Sequence, residues 1–270
     1  MEEHDHIAHP TGRDDPAPLS RSQATSIRRE RTFWDRRAAS WDQEGSSGLT
    51  AVFTAVVAAC GDVSGAEIVD LGAGSGQITL PLARDCRHIL AVDVSAPALA
   101  ILRDKALAAG LDNIAVSDQP IESLRMGAAS VDLVVTNYAL HHLRDADKRE
   151  LLGQAFTWLR PGGRLVIGDM MFGRGAQPAD RAIIASKVRA MARRGPAGWW
   201  RIAKNVVRFT VRMREKPIEA ETWRTLVSEA GFEQVHTQRV VAEACVLDAV
   251  KPRALSGTVS DRPRDLVAGH

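Results

Sequence analysis

One segment constrains the fold of this chain more than any other, because it runs from apolar residues straight into three alternating glycines: Ile68-Val69-Asp70-Leu71-Gly72-Ala73-Gly74-Ser75-Gly76-Gln77. The apolar run predicts a short buried strand, and the glycines predict a tight turn into a helix. Glycine lets the backbone approach a nucleotide-like ligand closely; a turn that only needs glycine is the structural alternative. A dinucleotide-binding turn would need a further glycine at position 77, where this chain has glutamine. The segment therefore predicts a ligand loop with GxGxG spacing.

The pattern around this loop alternates between short apolar strands and helices. Such alternation predicts right-handed crossovers and a mainly parallel, doubly wound α/β sheet. Near the end of the chain, two alternating segments predict a closing antiparallel pair. The predicted strands cover residues 66–71, 88–94, 113–117, 131–136, 164–168, 233–240 and 243–247, and the predicted helices cover 24–41, 96–109, 145–159, 179–194, 199–214 and 219–230, with one more ending near 84.

Length and composition exclude several classes of protein. The chain has 270 residues, 45% hydrophobic and 25% charged, values that exclude a wholly disordered or fibrous chain. Its longest uncharged apolar stretch, residues 49–60, is too short to span a bilayer, and its first residues lack the layout of a secretory signal. The three cysteines are far apart, which argues against a disulfide framework or a cysteine-rich zinc site. We therefore expect a cytoplasmic protein without a bound metal.

Charge is unevenly distributed along the chain. Residues 178–216 contain eleven basic and two acidic side chains, so this window carries +9 and the remainder of the chain carries −7. Basic and apolar residues fall on separate stripes of the predicted helix 199–214. Such a helix is compatible with capping an active site, with lying on an anionic membrane or lipid, or with contacting nucleic acid. The lack of a recognisable nucleic-acid-binding module argues against the last of these.

The glycine loop and its surroundings resemble those of class I S-adenosylmethionine-dependent methyltransferases, over about residues 32–247. The broad similarity is to quinone-biosynthesis-type and other small-molecule members. The resemblance implies a seven-stranded Rossmann-like sheet with an antiparallel edge pair, S-adenosyl-L-methionine as cofactor, and a small-molecule or lipid-like acceptor. In that family the loop D-x-G-x-G-x-G wraps the methionine moiety of the cofactor, and its positions here are Asp70, Gly72, Ala73, Gly74 and Gly76.

Two acidic segments after the loop match further cofactor positions of that family. Asp93 ends the second predicted strand, and an acid at this distance from the glycines can accept both ribose hydroxyls. The resemblance implies the same role for Asp93, with Val94 packing on adenine. Asp118 and Gln119, after the third strand, match positions near the adenine amino group. Solvated or turn-forming acids are the structural alternatives.

The segment Thr136-Asn137-Tyr138-Ala139-Leu140-His141-His142-Leu143 resembles the family's stretch beside the transferred methyl group. It implies that Asn137 contacts the cofactor and Tyr138 the substrate. The Asn/Asp-Pro-Pro-Tyr/Phe pattern typical of amino methylation is missing, and we expect transfer to oxygen or carbon. A hydroxyl acceptor needs a base, for which His141 or His142 is the candidate because imidazole titrates near neutrality. Packing or holding the loop is the alternative for both histidines.

These signals divide the chain into six parts. Trp41, in the N-terminal part, resembles a lid residue of some family members that lies near the ligands; packing in the core is its alternative. Two rival functions are open: an NAD-dependent oxidoreductase, which Gln77 disfavours, and a cofactor-binding regulator without turnover. The six predicted parts are a disordered lead (1–22), a lid helix (23–48), the cofactor-binding core (49–172), a basic helical substrate lobe (173–216), a closing helix with antiparallel strands (217–250) and a flexible tail (251–270).

Overall fold

The computed structural model describes residues 21–38, 47–172, 185, 189 and 216–253. These residues form helices, strands and two short 3-10 turns, at Ile121–Ser123 and Leu140–His142. In chain order the helices and strands are α1 (Arg21–Asp35), α2 (Ser47–Cys60), β1 (Glu67–Leu71), α3 (Thr79–Leu82), β2 (His88–Val92), α4 (Ala96–Ala108), β3 (Ile114–Ser117), β4 (Val131–Asn137), α5 (Asp145–Trp158), β5 (Leu159–Met170), α6 (Ala220–Glu229), β6 (Glu233–Arg239) and β7 (Ala244–Val250).

The seven strands form one sheet in the order β3-β2-β1-β4-β5-β7-β6. Strands β1 to β5 pair in parallel, whereas β7 pairs antiparallel with both β5 and β6. This arrangement confirms the predicted Rossmann-like sheet with its antiparallel edge pair. The strand order reverses between β1 and β4, and a doubly wound sheet opens a crevice outside the carboxyl ends of its strands at such a point.

The two faces of the sheet bury different side chains, because successive residues of a strand point to opposite sides. On one face Val69 and Val134 pack in a cluster that also contains Trp158 of α5 and Trp223 of α6. On the other face Ile68, Leu133 and Val135 pack with residues of α2. Strands buried on both sides favour apolar residues at successive positions, as in Ile68-Val69 of β1 and Leu133-Val134-Val135 of β4.

The structure differs from the sequence prediction in three elements. Helix α2 was not predicted, although its buried residues Val52, Val56 and Cys60 recur every four positions, as one face of a helix requires. Helix α1 ends at Asp35 rather than near residue 41, and β5 runs well beyond the predicted 164–168. Apart from residues 185 and 189, the predicted helices 179–194 and 199–214 fall outside the described residues, as does the tail after residue 253. Among those described, no helix has the length and apolar character needed to cross a bilayer.

Candidate functional site

The loop between β1 and α3 contains three glycines with positive φ, whose surroundings differ. Gly72, at φ 79, faces the next loop so closely that an added Cβ would collide with that of Ala139. Gly76, at φ 93, lies against Leu102 of α4 in the same way. Gly74, at φ 54, has open space: an added Cβ would meet only the Gln77 side chain, at 3.7 Å. Packing therefore requires the outer two glycines, and the middle one leaves room for a ligand.

This loop forms one wall of a cavity at the carboxyl ends of β1, β2 and β4. Residues of α1, of the loop after β3 and of the 3-10 turn after β4 complete its lining. The lining residues are Ile27, Glu30, Trp34, Ala38, Phe53, Asp70, Gly72, Ala73, Gly74, Ser75, Gln77, Ile78, Asp93, Val94, Ser95, Ala98, Pro120, Ile121, Glu122, Asn137, Tyr138, Ala139, His142 and Leu143.

Asp93 is held in the cavity by the backbone of the loop it faces. Its Oδ2 accepts a hydrogen bond from the Gly74 amide at 2.9 Å, and its Oδ1 accepts one from the Ser95 amide at 2.8 Å. Burial raises the pKa of the Asp93 carboxyl, and these two hydrogen bonds oppose that shift. The bonds fix the carboxyl group beside the glycine loop, where it presents acceptor capacity to a ligand with hydroxyl groups.

Asp70 lies deeper, at the end of β1, and is 1% exposed. Burial raises the pKa of its carboxyl to about 7, a shift that the hydrogen bond from the Thr79 hydroxyl, at 2.6 Å, counteracts. Thr79 is the first residue of α3, so this bond ties the end of the strand to the start of the helix. Asp70 therefore stabilises the conformation of the glycine loop through this bond.

The cavity contains most of the residues predicted from the sequence, but not all of them. Asp118 is exposed and Gln119 donates to the Ser117 hydroxyl at 2.8 Å. Neither lines the cavity, whose nearby wall is made by Pro120, Ile121 and Glu122. Gly76 and His141 also lie outside the lining, and Trp41 falls outside the described residues. The predicted residues within the lining are Asp70, Gly72, Ala73, Gly74, Asp93, Val94, Asn137, Tyr138 and His142.

Aromatic rings form another part of the cavity lining, the aromatic wall. Trp34 of α1 lies edge-on to His142, with ring centroids 5.5 Å apart, and Phe53 of α2 lies edge-on to Tyr138 at 6.4 Å. Burial, together with the nearby charges of Glu243 and Asp169, raises the pKa of the Tyr138 phenol. This wall is therefore suited to a flat or apolar molecule with few charges.

The two adjacent histidines lie in different surroundings. His142 lines the cavity, whereas His141 is buried and its Nδ1 lies 2.6 Å from Oδ1 of Asp169. Of the two predicted base candidates, the structure brings only His142 into the cavity. The Asp169 partner could not be inferred from the sequence, because it comes from the next strand.

The chain re-enters the described part of the structure beside these histidines. The Lys216 amide donates to the His141 carbonyl at 2.6 Å. The side chain of Lys148, which has no exposed surface, donates to the carbonyls of Lys216, at 2.7 Å, and Leu143, at 3.0 Å, and to Asp145 at 3.0 Å. Burial lowers the pKa of this lysine. The return point of residues 173–215 is thus fixed at the aromatic wall.

Several lining residues were not predicted as site residues from the sequence. Trp34 and Ile27 belong to an apolar stripe of α1 at seven-residue spacing, and this signal placed them on one face without indicating what they contact. Phe53 lies in a helix that was not predicted. Glu30 and Glu122 had no signal in the sequence; together with Asp70 and Asp93 they are the charged residues among the described lining, and all four are acidic. Burial raises the pKa of Glu122.

Comparison of this sequence with known proteins finds similarity to methyltransferases. Residues 68–163 match the family described as "Methyltransferase domain". A methyltransferase of Anoxybacillus flavithermus is 29% identical over 109 residues, 40% of this chain and 49% of that protein. Phosphoethanolamine N-methyltransferase 1 of Triticum aestivum is 28% identical over 146 residues, 53% of this chain and 28% of that protein. The chain therefore spans about half or less of the length of these relatives.

A solved structure shares the fold over most of the chain. It is 1,6-didemethyltoxoflavin-N1-methyltransferase of Burkholderia thailandensis, with 1,6-didemethyltoxoflavin and S-adenosylhomocysteine bound. Its TM-score is 0.61 at 19% identity, covering 87% of this chain and 92% of that one. The family match, the strand order and the glycine loop agree: this chain carries a methyltransferase domain of the class I, S-adenosylmethionine-dependent type.

Proposed function

We propose that this protein transfers the methyl group of S-adenosylmethionine to a small-molecule or lipid-like acceptor, on oxygen or carbon. The observation that carries the proposal is the composition of one cavity. Its lining combines a glycine loop and an adjacent carboxyl group with a set of aromatic rings and an imidazole. The loop and its carboxyl group suit the cofactor, and the rings suit the molecule that receives the methyl group.

The loop residues fit the cofactor. The space in front of Gly74 is open, and Asp93 presents its carboxyl group next to that space. Gly72, Gly74 and Asp93 would hold the amino-acid and ribose parts of S-adenosylmethionine, with Val94 and Ile121 against the adenine. When bound, the cofactor supplies a methyl group on a sulfonium, which is already activated for displacement. The protein's own contribution is to align the acceptor and to exclude water.

His142 is the residue that we propose as base for a hydroxyl acceptor. It is the histidine of the cavity, whereas the ring of His141 is engaged with Asp169. A hydroxyl must lose its proton as it becomes a nucleophile, and an imidazole in reach of it can take that proton. Tyr138 and Phe53 would hold the apolar body of the acceptor.

A nitrogen acceptor is the second candidate, favoured by the charges of the cavity. The charged side chains among its described lining residues are all carboxyl groups, and they attract an amine. The wheat relative is named as an N-methyltransferase. Carboxylates attract the ammonium form, which must lose a proton before it can attack; because that proton is much more acidic than a hydroxyl proton, an amine acceptor would need His142 as base to a lesser degree.

The basic window 178–216 supports a lipid-like acceptor or contact with an anionic membrane. Its net charge of +9 is large enough to attract anionic headgroups. We propose peripheral contact of this kind, and expect the protein to sediment with vesicles that contain phosphatidylglycerol but not with phosphatidylcholine vesicles. Charge reversal at Arg201, Lys204 and Arg208 should abolish this sedimentation. Equal sedimentation of the reversed and natural proteins would contradict membrane contact.

The main experiment combines methyl-labelled S-adenosylmethionine with a cell extract and separates organic, aqueous and macromolecular products. We expect label in the organic or small aqueous fraction, and loss of that label with His142→Ala if the acceptor is a hydroxyl. Full transfer by His142→Ala would favour the nitrogen acceptor or a carbon that needs no base. Binding of S-adenosylhomocysteine without any transfer would support the regulator without turnover. Competitive binding of NAD instead would support the oxidoreductase.

A further inference from the structure

The carboxyl group of Asp169, near the end of β5, accepts three hydrogen bonds, two from His141 and one from the next residue, Met170. Oδ2 accepts from the His141 amide at 2.8 Å, and Oδ1 accepts from the Met170 amide at 2.7 Å. Oδ1 also lies 2.6 Å from Nδ1 of His141, which must carry the hydrogen because a carboxylate has none to donate. Asp169 is 1% exposed and does not line the cavity.

A buried pair of this kind is not needed for stability alone. Removing a carboxylate from water is costly, and an apolar pair of the same volume often gives equal or greater stability. Ile167, two positions earlier on the same strand and therefore on the same face, is apolar and fully buried. The pair therefore calls for an explanation in the site that it adjoins.

The ring of His141 lies close to both rings of the cavity that belong to the same loop. Its centroid is 4.0 Å from that of His142 and 6.5 Å from that of Tyr138. The loop has few hydrogen bonds of its own: within the short 3-10 turn His142 bonds to Ala139, at 3.2 Å, and Leu143 to Leu140, at 3.0 Å. Contacts from outside the turn must therefore fix where these rings point.

The backbone of Tyr138 also depends on support from β5. Tyr138 has φ 51, the left-handed conformation, which costs a residue other than glycine about 1–2 kcal/mol. Its amide donates to the carbonyl of Gly168 at 2.8 Å, next to Asp169 in the sequence. Gly168 and Asp169 thus hold Tyr138 and His141 from neighbouring positions of one strand. Strained backbone that persists at a ligand cavity is a reason to look for a functional constraint.

We propose that Asp169 and His141 are positioning residues: the buried pair sets the orientation of Tyr138 and His142 toward the acceptor. The inference rests on the proposed function. Asp169 holds the His141 ring at its Nδ1, and that ring contacts both cavity rings and limits their orientation. The His141 carbonyl meanwhile receives the Lys216 amide, so the pair also aligns the aromatic wall with the point where residues 173–215 return.

Asp169→Asn tests this role with little change in size. The amide oxygen of asparagine can still accept from one amide, but its nitrogen presents hydrogens to the N–H of His141. Whichever way the asparagine amide lies, its NH2 group faces an N–H donor of His141, either the backbone amide or the ring nitrogen, so one of the two bonds that hold His141 is lost. Asp132→Asn is the matched control, because Asp132 is also a strand carboxylate that accepts from a backbone amide, of Glu67 at 2.9 Å, and from Arg160 at 2.6 Å. It does not line the cavity.

Three measurements on the full chain separate positioning from folding. Calorimetry with S-adenosylhomocysteine gives cofactor affinity, urea unfolding gives stability, and 15N histidine spectra report the rings of His141 and His142. In Asp169→Asn we expect methyl transfer to the labelled product fraction to fall about tenfold or more, since small misplacements of reacting groups have such effects. Affinity for S-adenosylhomocysteine should stay within about twofold, and the His142 ring signals should shift. Asp132→Asn should leave methyl transfer, affinity for S-adenosylhomocysteine and the His142 ring signals as they are in the natural protein.

The outcomes distinguish this inference from the proposed function. If the natural protein transfers no methyl group, the proposed function fails, and this inference with it. If the natural protein transfers methyl groups but Asp169→Asn does so equally, or leaves the His142 signals unchanged, the inference alone is overturned. Should Asp169→Asn not fold, His141→Asn serves instead: its side-chain amide can still donate to Asp169, but it has no ring to contact Tyr138 and His142. It must show the same loss of transfer with affinity retained.

Discussion

Replacing Gly74 with alanine should weaken cofactor binding without creating a steric clash in the folded protein. The added methyl group meets only Gln77, at 3.7 Å, so it creates no clash within the protein itself. It does stand in the cavity, in the space beside the Asp93 carboxyl group. Gly65→Ala is the matched control, because Gly65 has a similar φ of 69, nothing within 4 Å of its added Cβ, and no part in the cavity.

The expected magnitudes follow from this geometry. Alanine at positive φ costs about 1–2 kcal/mol, so both variants should lose about that much free energy of unfolding. Only Gly74→Ala places an atom where the ligand would lie. Its affinity for S-adenosylhomocysteine should fall at least about tenfold, or about 1.4 kcal/mol, whereas Gly65→Ala should bind as the natural protein does.

Urea unfolding without ligand and calorimetric titration with S-adenosylhomocysteine check both parts. Binding by Gly74→Ala within twofold of the natural protein would refute the assignment of the loop as a cofactor wall. Loss of binding in Gly65→Ala as well would show that affinity falls through folding, and that the cavity position of Gly74 is irrelevant.

Two further predictions concern the acidic residues. Because burial raises the pKa of Asp70 from 3.8 to about 7, folding favours its protonated form, and the stability that this group contributes is lost as pH rises through that interval. Without ligand, Asp70→Asn should therefore gain unfolding free energy relative to the natural protein between pH 4 and pH 7; a difference independent of pH would contradict the shift. Asp93→Ala should weaken S-adenosylhomocysteine binding at least about tenfold and Asp118→Ala less than about twofold, since Asp93 lines the cavity and Asp118 does not. Equal losses in calorimetry would instead place the Asp118 carboxyl group at the ligand, as the sequence predicted.

The sheet was predictable because each strand carries its own signal. Runs such as Val131–Thr136 are mostly apolar, as expected of a strand that is buried on both faces. Helix α2 was missed for a related reason: residues 49–60 are so uniformly apolar that the helical spacing of Val52, Val56 and Cys60 is not conspicuous. Burial against β5 and β7, which the sequence does not state, determines which of those apolar residues form the inner face.

The site was predictable on the cofactor side and less so on the acceptor side. Gly72, Gly74 and Asp93 belong to two adjacent strand ends, and local motifs carry them. The partner of His141 is 28 positions away, and only the parallel register of β4 and β5, which pairs Asn137 with Gly168, brings Asp169 beside it. The sequence motif identified both histidines as candidates but could not distinguish their roles. The roles differ because Asp169 of β5 bonds to the His141 ring, whereas the His142 ring lines the cavity.

The segment between Phe172 and Lys216 begins after β5 and ends beside the loop that follows β4, and a backbone hydrogen bond fixes each of these joints. The Met171 amide bonds to the Glu243 carbonyl at 3.0 Å, and the Lys216 amide bonds to the His141 carbonyl at 2.6 Å. Strands β5 and β7 pair directly with each other, and doubling the length of a connection costs only about 0.6 kcal/mol in closure entropy. These joints are therefore natural boundaries for grafting: a segment from a relative with a different acceptor can be exchanged there while the sheet and its glycine loop are kept.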